Sequence, residues 1–296
     1  MISTYLTVVT GKSITTAKHM SDITVINDSE QSSLVTNGLA KNGELYLKAA
    51  GSTDAGAIVV YDSGVWRTFA NEASAGFSNT YSLSLDGSND YVDISGAASS
   101  LNGLSAFSVS LWYNTSVSNG GLIAGGAGTT NAFWLTRYSS SLLYFNVRNG
   151  GATYISAGVT NADNVWHHIV GVANGANSKL YLNGSVVGSG TLPSLSSTGA
   201  NDLAIGYIPP LSSFGGLYCS GLIDEVAIFN SALSASDVTS IYNSGTPDDL
   251  TSYSPVGWWR MGENDGGTGT TVTDQGSGSN DGTLTNGPTF STTVPS

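Results

Sequence analysis

Cysteine is all but missing. Cys219 stands alone, which excludes an intrachain disulfide. Its neighbours Leu217, Tyr218 and Leu222 mark it as a small apolar core filler, and no histidine lies close enough in sequence to activate its thiol. Charge is scarce as well: 10% of the 296 residues are charged, and nine basic residues face 21 acidic ones for a net charge of −12. A field of that sign repels phosphate backbones and excludes nucleic-acid binding, whereas it suits divalent cations and keeps an assembly dissolved. No run approaches the ~18 apolar residues of a membrane helix, so no helical membrane insertion is expected. The opening MISTYLTVVTGK lacks the basic start, apolar centre and small-residue cleavage site of a secretory signal, so synthesis in a host cytoplasm without a signal peptide is expected. Glutamate is limited to Glu30, Glu44, Glu72, Glu225 and Glu263. No ExDxE-type run, GxSxG, P-loop or CxxC motif occurs. Nothing here asks for an enzyme.

What is present is the raw material of β structure. The chain has 38 glycines, 9% aromatic and 40% hydrophobic residues, enough to bury a core and to turn tightly between short strands. Residues 1–76 read as a small β-rich unit. Ser21–Ile26, Glu44–Lys48 and Ala57–Tyr61 are strands, and Val65–Phe69 returns as a hairpin partner after the Asp62-Ser63-Gly64 turn. A short helix over Thr15–Met20 is conceivable. Glu72–Thr80 is a linker of small and polar residues. Residues 77–248 form the main domain. Phe107, Val109, Leu111 and Tyr113 alternate with Ser108, Ser110 and Trp112, the mark of a half-buried strand. Leu142–Arg148, Trp166–Ala173, Lys179–Leu182, Ser185–Gly188 and Leu203–Gly206 repeat the pattern. Asn149-Gly150 and Asn183-Gly184 serve as turns. After Ile223–Phe229, Ser234 and Asp237 form a capping box, Val238, Ile241 and Tyr242 fall at helical spacing, and Gly245 supplies a stop. Residues 249–296 are a tail.

Two segments carry a family resemblance: YSLSLDGSNDYVDI, from Tyr81 to Ile94, and GLIDEVAIFNSALSASDVTSIY, from Gly221 to Tyr242. Together they resemble the opening and closing strands of laminin-G-like, concanavalin A-type jelly rolls. The resemblance implies a mainly β fold, an antiparallel two-sheet sandwich closed by one short helix, with first and last strands side by side. It specifies fold better than ligand, because sugar binders, protein binders and scaffolds share this sandwich. The tail, VGWWRMGENDGGTGTTVTDQGSGSNDGTLTNGPTF, resembles a segment that normally opens such modules. Either it docks back on the same sandwich in a permuted order, or it completes a neighbouring subunit by strand exchange. The run GELYLKAAGSTDAGAIVVYDSGVWRTF resembles segments of tailed-phage structural and fibre proteins.

Strict alternation places Asp224 on one face with Val226 and Ile228, and Glu225 on the other with Ala227 and Phe229. The two acids then form no catalytic pair. A carboxylate among apolar neighbours needs a cation or several N–H donors. Asp86, Ser88, Asn89 and Asp90 offer oxygens on the neighbouring strand, so a structural Ca²⁺ held by Asp224 with Asp86 or Asp90 is one expectation; capping of backbone N–H groups by the same carboxylates is the other. His167 and His168 face opposite sides of a strand, and His168 reads as a packed, hydrogen-bonded residue. Tyr207, Phe214 and Tyr218, in the loop GYIPPLSSFGGLY, are candidate ligand-binding aromatics for a glycan. The expected function is that of a non-enzymatic virion structural protein, a fibre or decoration protein. It would contact other virion proteins through residues 1–76, form a homo-oligomer and display a lectin-like domain on the virion surface. The alternatives are a secreted or surface carbohydrate-binding module and, behind it, a polysaccharide depolymerase.

Overall fold

The computed structural model describes residues 77–126, 131–139, 141–159, 163–195, 203–210 and 216–296, and the backbone of six strands within residues 1–76. The chain divides into two compact units, Met1–Phe77 and Ser78–Ser296. In the first, β1 (Tyr5–Thr10) and β2 (Ser13–His19) form an antiparallel hairpin. β3 (Thr24–Ile26), β4 (Leu45–Lys48), β5 (Ile58–Asp62) and β6 (Val65–Phe69) form a sheet in that order, with β3 parallel to β4. Strand β2 replaces the conceivable helix over Thr15–Met20, because the β-branched run Ile14-Thr15-Thr16 is stiff at χ1 and suits a pleated ladder.

The second unit begins with β7 (Ser82–Asp86), β8 (Tyr91–Ile94), β9 (Ala106–Asn114), β10 (Gly120–Gly125) and β11 (Asn131–Ser139). Then come β12 (Leu142–Asn149), β13 (Gly151–Gly158), β14 (Trp166–Asn174), β15 (Ser178–Leu182) and β16 (Ser185–Gly190). β17 (Leu203–Ile205) precedes a short hairpin of β18 (Tyr207–Ile208) and β19 (Leu217–Tyr218), which leads into β20 (Ser220–Phe229) and helix α1 (Ala235–Tyr242). The chain closes with β21 (Gly257–Trp259), β22 (Thr271–Val272), β23 (Gly282–Thr285) and β24 (Thr289–Ser291).

These strands build two antiparallel sheets. The first runs β13-β12-β11-β10-β17-β8-β23-β22 and the second β16-β15-β14-β9-β20-β7-β24, with β21 also paired to β20. Opening and closing strands lie side by side, Leu83 opposite Ile223 and Asp86 opposite Ser220. Phe107, Leu111, Phe133, Leu135, Phe145, Val147, Ile169 and Trp259 fill the space between the layers, all fully buried. Each such side chain contributes about 1.5–3 kcal/mol relative to exposure. The tail adds a strand to each sheet against the opening hairpin, β23 on β8 and β24 on β7. The β15–β16 turn is Asn183-Gly184, both at positive φ (50° and 75°), as a two-residue hairpin requires.

Helix α1 covers the outer side of the second sheet. Ser234 and Asp237 make the full capping box. The helix ends earlier than Gly245, because Asn243 takes the left-handed C-cap conformation (φ 44°). Tyr242 stacks on Trp112 and His168, which project from β9 and β14 away from the core. His168 is fully buried, bonded through Nε2 to the Ser110 hydroxyl at 2.8 Å, and desolvation lowers its pKa to about 3.

Candidate functional site

Along β12, Leu143, Phe145 and Val147 point into the core. By the period of two, Tyr144, Asn146 and Arg148 therefore point outward. The register brings Trp134 and Thr136 of β11 and Tyr154 and Ser156 of β13 alongside them. Tyr144 meets Tyr138 and Tyr154 edge to face, with centroids 5.2 Å apart in each pair. Tyr138 is 43% and Tyr154 56% exposed. The outer face of β11–β13 thus presents aromatic surface to water beside amide, hydroxyl and guanidinium groups.

The β18–β19 hairpin bounds this face. Ile208 and Leu217 pack on Ala124, Ala132 and Trp134. Tyr207 and Tyr218 stack on each other (4.3 Å, 13°), and Tyr207 also meets Tyr91 at 5.3 Å. Burial first, and then the Tyr218 hydroxyl, push the Tyr207 phenol up to about 12. Of the aromatics expected to bind ligand, these two are half-buried and each uses one ring face on the other, while Phe214 lies outside the described residues. Alternation was the signal that could have found Tyr144, since LLYFNVR sets its tyrosine between two core residues, Leu143 and Phe145.

A second constellation lies on the outer side of the second sheet. Strict alternation fails in β20. Glu225 adopts φ 46°, and the register against β9 shifts between Asp224 and Ala227. This β-bulge lets Ile223, Val226 and Ile228 all reach the core. Asp224 therefore does not share a face with Val226 and Ile228, and Glu225 does not point away from it. Asp224, Glu225 and Glu263 instead bring one oxygen each to within 4.8 Å of one another. Asp224 accepts from Asn79 Nδ2 and from the Glu225 N–H, each at 2.8 Å. Glu225 accepts from Trp258 Nε1 at 2.7 Å and from Arg260 Nε at 2.9 Å. Glu263 Oε1 accepts the Thr80 and Tyr81 N–H groups. Burial, then the adjacent Glu225 charge, holds Asp224 well above the carboxylate range. Burial lifts Glu225 to about 7 against the pull of Arg260, and raises Glu263. Glu263 Oε2 and Asn79 Oδ1 are shut from solvent without a hydrogen-bond partner. Two buried carboxylates, a half-buried third and two unsatisfied oxygens fit a hard cation.

Asp86 and Asp90 are not part of this group. Asp86 sits opposite Ser220, four residues short of Asp224, about 13 Å along a strand. Asp86 Oδ1 accepts the Ser88 N–H at 2.7 Å and the Asn89 N–H at 3.3 Å, and Asp90 accepts the Asp86 N–H at 3.1 Å. The Ser88 bond leads in holding the Asp86 carboxyl below its usual value. Both close the β7–β8 turn. Glu225, Glu263, Asn79 and Arg260 escaped sequence reasoning because a bulge leaves no trace in the hydrophobic pattern.

A two-sheet antiparallel sandwich with adjacent first and last strands and a helix on one outer side is the concanavalin A-type jelly roll. Residues 86–239 match the laminin-G family described as the concanavalin A-like lectin/glucanases superfamily, and the chain belongs to it. No curated protein matches the chain. Among solved structures, a Bacteroides ovatus protein to which carbohydrate binding is ascribed is 17% identical, with a TM-score of 0.53 over 86% of this chain and 71% of that one. The heptameric SAP-like pentraxin of Limulus polyphemus is 17% identical (TM-score 0.41, 55% of this chain, 82% of that one). Domains LG4-5 of the mouse laminin α1 chain are also 17% identical (TM-score 0.41, 52% and 46%). These likenesses are ones of fold.

Proposed function

We propose that this chain is a non-catalytic, lectin-like module that binds glycans on the outer face of β11–β13. The observation that carries this reading is the Tyr138–Tyr144–Tyr154 cluster, water-exposed at both ends, with the exposed Ser156 and the half-buried Arg148 beside it. Rigid amphipathic rings with polar groups between them suit the apolar faces and hydroxyls of a sugar. The carbohydrate binding ascribed to the Bacteroides ovatus protein of like fold supports it. Glycoside hydrolysis needs a pair of carboxyl groups beside the sugar, and β11, β12 and β13 contain neither Asp nor Glu. The test is a glycan array with the wild-type protein, followed by titration of any hit with Tyr144→Ala and Tyr154→Ala. Binding weakened tenfold or more by both supports the site. Unchanged binding places the glycan elsewhere, and an array without hits removes the reading.

The acidic group of Asp224, Glu225 and Glu263 is, in this reading, a structural Ca²⁺ site. Its carboxylates would supply charge and oxygens, and a turned Asn79 amide would add Oδ1. The module's wider setting is the surface of a tailed-phage particle, where residues 1–76 attach it to other virion proteins and hold it as a homo-oligomer. The support is the resemblance of residues 43–69 to phage structural segments. Size-exclusion chromatography with light scattering tests that role: an oligomer that becomes monomeric without residues 1–76 is expected, and a monomeric full chain would argue against it.

A further inference from the structure

Arg148 stands on the tyrosine face with no counter-ion among the described residues. Its Nε is closed off from solvent and has no acceptor. The other described arginines are committed: Arg260 to Glu225 and the Ser78 carbonyl, Arg137 to the Val117 carbonyl. The isolation is unexpected in a chain with 21 acids and a net charge of −12. None of those acids comes from the strands of this face, since between Asp93 and Asp163 the sequence has no Asp or Glu. That stretch supplies β9–β13, hence the whole tyrosine face. Beside Arg148 on β12 lies Asn146, only 6% exposed, with its amide between Trp134 and Tyr154 in the register. A half-buried guanidinium whose Nε lacks an acceptor is costly, and an anion on its Nη groups offsets that cost through charge-assisted hydrogen bonds.

We infer that the glycan taken by this face is acidic, a sugar carrying a carboxylate, and that Arg148 is the residue that selects it. This rests on the glycan-binding reading above and names its substrate class. The planar guanidinium fork matches a carboxylate, which can accept two parallel N–H bonds from it. Tyr144 lies four residues away on the same strand, about 13 Å, so the sugar carboxylate would sit at the Arg148 end while neighbouring rings rest on Tyr154 and Tyr144. The absence of acids from β9–β13 removes the repulsion that such a ligand would meet over the rest of this surface.

The experiment is calorimetric titration of the full chain with two matched pairs: sialylated lactose against lactose, and an oligogalacturonate against its carboxyl-reduced product. The acidic member of one pair is expected to bind at least tenfold more tightly, about 1.4 kcal/mol, and which pair responds separates a sialate from a uronate. Arg148→Gln is expected to abolish that difference, so that acidic and neutral members bind alike. Arg148→Lys, which keeps the charge without the fork, should restore it only in part. Equal binding of acidic and neutral members, with loss of both in Tyr154→Ala, overturns the Arg148 inference and leaves glycan binding standing. An acid preference that survives Arg148→Gln also overturns it. No binding of any of the four probes, together with an array empty of hits, removes both readings.

Discussion

Glu225 turns its carboxylate to the same side of the strand as Asp224, although the two are adjacent in sequence. The left-handed backbone at Glu225 (φ 46°) inserts one extra residue into β20. The bulge preserves the apolar core on one side and gathers acid on the other. A non-glycine residue in that conformation is held there by its surroundings, and here the holders are Trp258 Nε1 and Arg260 on the carboxylate.

The stability of the cation-free protein is expected to fall as pH rises through neutrality. Glu225 has an ordinary value of 4.5 and a folded value of about 7, and Asp224 is raised as well. A carboxyl whose folded pKa is raised favours folding fully below its unfolded pKa and loses that contribution as pH climbs to the folded one. In EDTA, the melting temperature should therefore decline between about pH 4.5 and 7. Ca²⁺ should restore it at pH 7.5 and do little at pH 5, where protons occupy the site. Glu225→Gln should flatten the decline and shrink the Ca²⁺ response. Calorimetry across pH decides the matter: a wild-type pH profile identical to that of Glu225→Gln would show that Arg260 alone neutralises the group.

The β-sandwich was legible in the sequence because burial on one face writes a period of two, visible in Phe107 to Tyr113 and Trp166 to Ala173. The capping box of Ser234 and Asp237 was legible because it is local. The acidic group was not. It depends on one inserted residue at Glu225 and on Glu263, 38 positions further on, brought near when β21 pairs with β20. The place of Asp86 and Asp90 relative to Asp224 was not legible either, because the hydrophobic pattern gives the strand pairing but not the offset along it. Four residues of register separate the turn caps Asp86 and Asp90 from the acidic group at Asp224.

On the acid side, His168 sets the limit. Its folded pKa of about 3 lies below the ordinary 6.5 because it is buried between Trp112 and Tyr242. A histidine kept neutral in the fold loses stability as pH falls through 6.5, where the unfolded chain takes up the proton and the folded one does not. His168→Gln keeps an acceptor for the Ser110 hydroxyl. It should lower stability at pH 7 by ~1–2 kcal/mol through lost packing while giving a shallower loss between pH 6.5 and 4. Parallel acid limbs for the two proteins would show that His168 does not govern that range.

Gly121 fixes the hairpin that bounds the tyrosine face. A Cβ there would come within 2.5 Å of the Leu217 carbonyl and 2.6 Å of the Ile208 nitrogen, both backbone atoms that cannot swing aside. Gly121→Ala should lift β18–β19 from Trp134, cost ~1–3 kcal/mol and open the hairpin to protease. Cleavage between Tyr207 and Tyr218 at the wild-type rate would mean that the sheet yields instead.

Trp259 tests whether the tail belongs to the core of its own unit. It is fully buried among core residues, bonds through Nε1 to the Asn280 carbonyl at 2.9 Å, and pairs with Val226 across β20–β21. Trp259→Ala removes the largest fully buried side chain and should cost ~3–5 kcal/mol, which lowers the melting temperature by about 6–20 °C in a unit of this size. Ser234→Ala, which removes only the cap of α1, should cost ~1 kcal/mol. Both losses should be independent of protein concentration, because β21, β23 and β24 pair within the same chain. A melting temperature of Trp259→Ala that recovers on tenfold concentration would instead show the tail exchanged between subunits, since only an intermolecular contact is strengthened by mass action.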